Sequence, residues 1–370
     1  MAYLDFRKAF DRVDNDILLA RLAGVGFTPR LLILFSNYLR DRKQYVRYGG
    51  YESRAYFTRS GVSQGSNLGP LLFTILVNDI ADVVRKARYL MFADDLKLFL
   101  SMSTEADALN LQADIDAISE WSAAHGLELN AEKCSVMTFG RVRRPFEYAY
   151  VVGGIPLKRV HTVTDLGVKF DPALNFRSHI MDLTNASLRR LGFVLRYARP
   201  FREPATARLL YTSLVRSKLE YCSLIWSPHE ALYSFMIERV QKRFLRFLYM
   251  KVYGYYPYLY PTAFLLGMLE FNSLEVRRNV HLVRFVFDLL RGRIIVPDLL
   301  SSIFIRVPAN YVRGRHHDLL AISLARTNLF REAPLSRAAR FINAITSSRH
   351  ECDIFCMPES TFEKMVMEFF

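Results

Sequence analysis

The sequence predicts an α+β chain: a small sheet with crossover helices over residues 1–150, then a basic and largely helical region. Three observations carry that prediction. Short apolar strand patterns alternate with helical ones through the first 150 residues. From about residue 180 the apolar spacing settles to a helical period. The formal charge of +14 is also lopsided: residues 1–150 hold 19 Lys/Arg and 18 Asp/Glu, net +1, whereas residues 151–370 hold 31 and 18, net +13. A one-sided positive charge gathers a polyanion, most often nucleic acid, although a solvated Lys/Arg surface gives the same count. With 51% hydrophobic residues the chain is not expected to be disordered. Four cysteines (Cys134, Cys222, Cys352, Cys356) make no disulfide framework in a chain this long and fit a reducing compartment. No apolar run reaches the roughly 18 residues of a membrane span, and Asp5 interrupts the N-terminus where a signal peptide needs an apolar core. A membrane or secreted protein is therefore not expected.

Taken in order, Ala2–Phe6 is an apolar strand interrupted by Asp5. Thr28-Pro29 supplies an N-cap and a first-turn proline for a helix over Arg30–Leu39. Gln44–Tyr48 and Tyr51–Thr58 flank Gly49-Gly50, a hairpin signal. Gly69–Val84 reads as a second helix. Tyr89–Ala93 and Leu96–Leu100 are strands separated by Asp94-Asp95, the length of a two-residue turn. Thr104 caps a helix with Ala108, Leu111, Ile115 and Ile118 on one face, ended by Gly126. Cys134–Phe139 closes the sheet, and 151–180 reads as connecting strands. Beyond it, Asn185–Tyr197, Thr206–Leu219, Leu232–Tyr249 and Phe271–Gly292 are helices, with a linker rich in tyrosine and proline at Val252–Pro261. In the third of these helices Arg239, Lys242, Arg243 and Arg246 recur at i, i+3, i+4 and i+7, one face of the helix.

The first part reduces to strand–helix–strand–strand–helix–strand, the split βαβ or ferredoxin-like order. A right-handed crossover makes the first two strands parallel. Their C-terminal ends then share one sheet edge, so Asp5 and the Asp94-Asp95 turn converge. Three carboxylates without ligand-spaced histidines suit a hard, oxygen-preferring ion, Mg²⁺ before zinc. Two such ions would serve in-line phosphoryl transfer. Taken alone, Asp94-Asp95 is also an ordinary turn pair. Near the end, His350, Cys352 and Cys356 are too few for a zinc site without His316 or His317.

The residues around these carboxylates resemble a known family. Tyr3-Leu4-Asp5-Phe6-Arg7-Lys8-Ala9-Phe10-Asp11 is similar to the first catalytic motif of reverse transcriptases. Gly61-Val62-Ser63-Gln64-Gly65-Ser66-Asn67-Leu68-Gly69-Pro70-Leu71-Leu72-Phe73 resembles the second, Phe92-Ala93-Asp94-Asp95 the third, and Gly126-Leu127-Glu128-Leu129-Asn130-Ala131-Glu132-Lys133 the fourth. The Ala-Asp-Asp form, Leu68-Gly69-Pro70-Leu71-Leu72-Phe73 and Asp165-Leu166-Gly167-Val168 resemble the non-LTR retrotransposon branch. The resemblance implies a right-hand polymerase palm over 1–150, with a partial fingers hairpin near 44–58. It also implies a helical, basic thumb over 181–293 and a C-terminal region, 294–370, without a defined role.

It further implies Asp5, Asp94 and Asp95 as ligands of two Mg²⁺ ions, with Mn²⁺ as a substitute, and Lys133 at the triphosphate. Phe6 and Phe10 would face the incoming nucleotide, Phe10 excluding a 2′-hydroxyl, while Gln64 and Gly65 would lie against nucleotide and template. As bland alternatives, Phe10 is a core aromatic, Ser63–Ser66 a capping loop and Lys133 a solvated lysine. Lys97 is a weaker candidate for touching primer. Arg239, Lys242, Arg243 and Arg246 would grip the RNA template and DNA primer through their phosphates. The implied partners are RNA template, DNA primer and dNTP, and the family's habit of priming at chromosomal DNA implies the nucleus. Ser63 stands where the family commonly has proline, and Asn67 where an apolar residue is usual. The family's fingers region and upstream endonuclease are absent from the sequence, so a fragment of a longer protein is expected, with open apolar surface around Phe6, Phe10 and Phe73. Rival readings are a repurposed fragment that binds nucleic acid without polymerising, and an intron-encoded maturase.

Overall fold

The computed structural model describes residues 1–140, 146–306, 318–348 and 353–370. The chain forms two compact units, one of residues 1–163 with 171–174, the other of 164–170 with 175–370. Both helices and sheet are present, as the α+β expectation requires. No helix among the described residues is long and apolar enough to cross a membrane. His316, His317, His350 and Cys352 lie outside the described residues.

The first unit is built on a five-stranded sheet in the spatial order Lys158–Arg159, Ser135–Val136, Ala2–Asp5, Asp95–Phe99, Arg88–Phe92. Its last four strands have the split βαβ order. Ala2–Asp5 is antiparallel to Asp95–Phe99, which is antiparallel to Arg88–Phe92, so the first and second strands run the same way. The fifth strand, Lys158–Arg159, joins in parallel and has no counterpart in the expected order. Ala2, Leu4, Leu96 and Leu98 alternate onto the buried face. Beneath them lies helix Glu105–Ala124, with Ala108, Leu111, Ile115 and Ile118 in the same core. Thr104 and Asp107 close the start of that helix as a capping box.

Three departures from expectation have local causes. Helix Asn15–Gly24 follows Asp14, whose carboxylate accepts from the amides of Asp16 and Ile17; with Leu68–Val77 it buries Phe73, and Phe6 is buried too. Phe6 and Phe73 themselves are therefore covered, whereas Leu68 and Leu71 beside Phe73 stay exposed. The helix expected over 69–84 divides into Leu68–Val77 and Ile80–Val83. At the break, Asp79 accepts from Trp121 Nε1 at 3.1 Å and pairs with Arg21 and His125. Finally, Phe92 pairs with Asp95, so the two turn residues are Ala93 and Asp94 rather than Asp94 and Asp95.

In the second unit, segment 164–170 turns at Leu166-Gly167, both at positive φ, and the Tyr221 hydroxyl donates to the Leu166 carbonyl at 2.9 Å. Helices Arg177–Ala198, Pro204–Tyr211 and Ala231–Tyr253 enclose one core, in which Tyr211 stacks on Phe244 at 4.0 Å and donates to Gln241. The expected helix over 206–219 continues from Tyr211 through a π-helical stretch, Thr212–Arg216, into Ser217–Glu220. Helix Leu274–Leu290 carries a second core with Pro334–Ser348 and Glu359–Phe369, where Phe287 stacks on Phe362 at 3.9 Å. Arg284 adds ion pairs to Glu359 and Glu363. The C-terminal region thus packs onto the helical unit.

The approach to strand Arg88–Phe92 hangs on one buried carboxylate. Asp114 accepts from the amides of Arg85, Lys86 and Ala87 at 2.9, 2.9 and 2.5 Å. Removing it leaves three donors to find other partners, a cost of about 3 kcal/mol. Asp114→Ala is therefore expected to accelerate hydrogen exchange at these three amides by roughly a hundredfold. Unchanged exchange would contradict that anchoring role.

Candidate active site and nucleic-acid interface

The candidate active site is built at the end of the first strand. Asp5 and Asp95 are direct partners across the antiparallel pair, so their side chains lie on the same sheet face, opposite Leu4 and Leu96. Asp94 occupies the turn after Phe92, and Ala93 beside it adopts φ 53°. A left-handed alanine costs about 1 kcal/mol or more, and such strain persists only where its surroundings hold it. On the other flank, the fourth-motif segment is stitched to the first. Asn130 N–H donates to the Asp5 carbonyl at 2.7 Å, and Arg7 N–H to the Glu128 carbonyl at 2.7 Å. This brings the Lys133 ammonium to 3.4 Å from Asp5 Oδ2, and Arg12 to 2.5 Å from Glu128. Cys134 lies against the Asp5 amide at 3.4 Å, and burial, reinforced by the Asp5 charge, pushes its thiol pKa up.

Asp5 Oδ2 is buried and accepts no hydrogen bond. A solvent-excluded carboxylate oxygen without a hydrogen bond, beside an ammonium, is an orphaned acceptor, and an all-oxygen donor set suits Mg²⁺. The residues present fit a divalent ion by this test. Among the described residues, however, no three His, Cys, Asp or Glu side chains stand close enough together to hold one. The three aspartates share an edge without closing into a ligand set.

The second motif clasps the first. Gly61 N–H donates to Val13 O at 2.7 Å, Val62 N–H to Phe10 O at 2.9 Å, and the Ser60 hydroxyl to Asp11 O at 2.9 Å. Gln64 Nε2 donates to Asp11 Oδ1 at 2.8 Å, which fixes the amide beside the first motif. Gly61 has φ 87°, and a Cβ there would meet the Phe10 and Asp11 carbonyls at 2.8 Å. Gly65 has φ 78° with open space around it. Arg42, which sequence reasoning missed, locks this loop: Nη1 donates to Ser63 Oγ at 2.6 Å, and Nη2 to the carbonyls of Ser60 and Gly61. Ser63 therefore acquires by hydrogen bonding the rigidity that proline would supply. An open recess of about 520 Å³ borders the loop, lined by Asp11, Arg42, Tyr56, Arg59 and Gln64 among others.

Two aromatic expectations divide. Phe10 is half-buried and stacks on Phe73 at 4.6 Å, so its ring is held in one place. Phe6 is 2% exposed and edge-on to Trp121, a core position that cannot touch a nucleotide. Lys97 is also corrected: it is 7% exposed, opposite Tyr3 and Leu90 in the sheet. In the second unit, Arg239 and Arg243 are exposed, with Lys242 and Arg246 half-buried beside them on helix Ala231–Tyr253, whose Val240, Phe244, Leu245 and Leu248 face the core. None of the four cations makes an ion pair among the described residues. They form a stripe, as their spacing predicts.

Comparison with known proteins shows which family the sequence matches. A family model for reverse transcriptase (RNA-dependent DNA polymerase) matches residues 1–191. The RNA-directed DNA polymerase from mobile element jockey of Drosophila funebris is 31% identical over 197 residues, 51% of this chain and 21% of that protein. Its Drosophila melanogaster counterpart is 30% identical over 193 residues, 50% and 21% of the two chains. The probable RNA-directed DNA polymerase from transposon BS of Drosophila melanogaster is 30% identical over 203 residues, 51% and 22%. The chain spans about a fifth of the length of these curated relatives. The solved telomerase of Candida tropicalis aligns over 78% of this chain and 45% of its own at 11% identity, with a TM-score of 0.35.

The contrast between the two glycines of the clasping loop is testable. Gly61→Ala forces backbone apart and is expected to cost about 3 kcal/mol, whereas Gly65→Ala pays only for its φ, about 1 kcal/mol. Thermal unfolding of the two variants should rank them so. Equal losses would contradict the close approach at Gly61.

Proposed function

The chain belongs to the reverse transcriptase family, and on that premise we propose that it forms the palm and thumb of an RNA-directed DNA polymerase of the non-LTR retrotransposon type. The observation that carries the reading is the pairing of Asp5 with Asp95 across the sheet, with Lys133 at 3.4 Å from Asp5. Asp5, Asp94 and Asp95 would hold two Mg²⁺ ions, with Mn²⁺ as a substitute. Such ions activate a primer 3′-hydroxyl and stabilise the charge on a departing pyrophosphate. The remaining roles fall to side chains and backbone of this chain. Lys133 is well exposed beyond its contact with Asp5, so its ammonium can turn to the triphosphate and give a proton to the leaving oxygen. Phe10, braced on Phe73, presents a fixed edge beneath the sugar, where a 2′-hydroxyl would clash. Gln64 is held by Asp11, and Gly65 leaves room for template and nucleotide to approach the backbone. Arg59 and Arg42 border the recess where a triphosphate would enter. The cationic stripe from Arg239 to Arg246 would hold the template–primer duplex by its phosphates. With chromosomal DNA as primer, the site of action would be the nucleus.

A second reading has one observation in its favour: the three aspartates do not close into a ligand set. On that reading the chain grips nucleic acid without polymerising.

Primer extension on an RNA template with Mg²⁺ separates the two. The parent chain is expected to extend the primer, and Asp94→Ala/Asp95→Ala to lower the rate by roughly a hundredfold or more. Both should bind template–primer duplex equally, with affinity falling steeply as salt rises. Absence of extension by the parent, together with equal salt-sensitive binding by both, would establish the binding-only reading.

A further inference from the structure

Helix Ala231–Tyr253 leads out of the cationic stripe into a surface that the chemistry above does not use. It ends at Gly254, φ 84°, whose amide donates to the Met250 carbonyl. The next seven residues are Tyr255-Tyr256-Pro257-Tyr258-Leu259-Tyr260-Pro261. Half of this loop is an anchor. The hydroxyls of Tyr249 and Tyr255 meet at 2.8 Å and those of Tyr255 and Tyr260 at 3.1 Å, with Tyr249 buried in the helical core. Tyr260 then packs edge-on against Phe264. Pro257 is buried, and the two prolines restrict both their own backbone and the residues before them. The loop is therefore held in one shape.

The other half of the loop faces solvent. Tyr256 and Tyr258 have ring centroids 4.7 Å apart, Tyr258 is 78% exposed and Leu259 is 94% exposed. Large apolar surface kept outward by a rigid loop is unusual without a partner. Its neighbours indicate which one. Along the helix, Arg239, Lys242, Arg243 and Arg246 continue at the same spacing through exposed Met250 and Tyr253. Arg239 to Tyr253 spans about 21 Å at 1.5 Å per residue. A row of cations that make no ion pair among the described residues, followed in the chain by fixed, outward aromatic rings, suits a strand that offers phosphates and free base faces together. A duplex keeps its base faces stacked inside and has no use for the rings.

We propose that the Arg239–Arg246 stripe and the Tyr256–Tyr258 loop form one binding site for single-stranded nucleic acid, with phosphates on the cations and bases stacked on the tyrosines. The proposal rests on reading the stripe as a nucleic-acid grip and adds preference for unpaired strand over duplex.

The test is fluorescence anisotropy of the full chain with a labelled single-stranded RNA, the matching single-stranded DNA, and the duplex, across a salt series. Tyr256→Ala/Tyr258→Ala is expected to weaken single-strand binding tenfold or more with its salt slope unchanged, and to leave duplex binding within twofold. Tyr256→Phe/Tyr258→Phe keeps the rings and should restore parent affinity. Arg243→Ala/Arg246→Ala should weaken single strand and duplex alike and flatten the salt slope. The RNA and DNA arms identify which strand is held. If the alanine pair at the tyrosines leaves single-strand binding intact, or weakens duplex binding equally, the stacking site is overturned while the grip stands. If the arginine variant changes no binding, the grip itself is overturned. Binding of an acidic peptide, with none of either single strand, would assign the surface to a protein partner and overturn the proposal.

Discussion

The first unit depends on one strand register. Pairing Ala2–Asp5 with Asp95–Phe99 so that Leu4 opposes Leu96 necessarily sets Asp5 against Asp95. Two like charges directly opposite are unfavourable, and a slip of one residue would carry Asp5 into the core. The apolar face prevents that slip, because Ala2, Leu4, Leu96 and Leu98 are all buried above helix Glu105–Ala124. Hydrophobic burial on one face thus stabilises an electrostatically awkward pair on the other. Lys133 relieves part of the repulsion. The left-handed Ala93 and the buried, hydrogen-bond-free Asp5 Oδ2 are further signs that this edge is not optimised for stability alone.

The remaining parts of the unit restrict movement at that edge. The first motif lies between the fourth-motif segment, bonded through Asn130 and Glu128, and the Ser60–Gln64 loop, which Arg42 locks from outside. Side chains that would meet substrate therefore rest on backbone bonded on both sides. The charge division follows the same logic. An edge proposed to hold cations needs acids, and the near balance of residues 1–150 leaves them available. A surface proposed to follow a polyanion needs an excess of bases, and residues 151–370 carry a net +13.

The sequence made periodic and local features legible. The Thr104 cap, the helix face of Ala108 to Ile118, and the stripe of Arg239 to Arg246 all have signatures within one or two turns. Strand order followed from handedness, and with it the convergence of Asp5 and the Ala93–Asp95 turn. Features made by long-range bonds were not legible. Arg42 reaches a loop 18 to 21 residues away, and Asp114 caps a segment 27 to 29 residues earlier. No spacing rule exposes such contacts. Phe6 and Lys97 were misread for a related reason: position within a motif or alternation along a strand does not say what covers the side chain. The fifth strand, Lys158–Arg159, is too short to carry a pattern.

Whether the edge set by the Asp5–Asp95 register, with Asp94 beside it, would hold a divalent cation is directly measurable. Titrating isotopically labelled chain with Mn²⁺ and following paramagnetic broadening of its amide resonances tests this directly, independent of any activity. Broadening that saturates first at Asp5, Asp94, Asp95 and the flanking Phe92–Ala93, and is displaced by excess Mg²⁺, is the predicted result. Broadening centred on another acidic segment, or none at this edge at concentrations that broaden the rest of the surface, would contradict it.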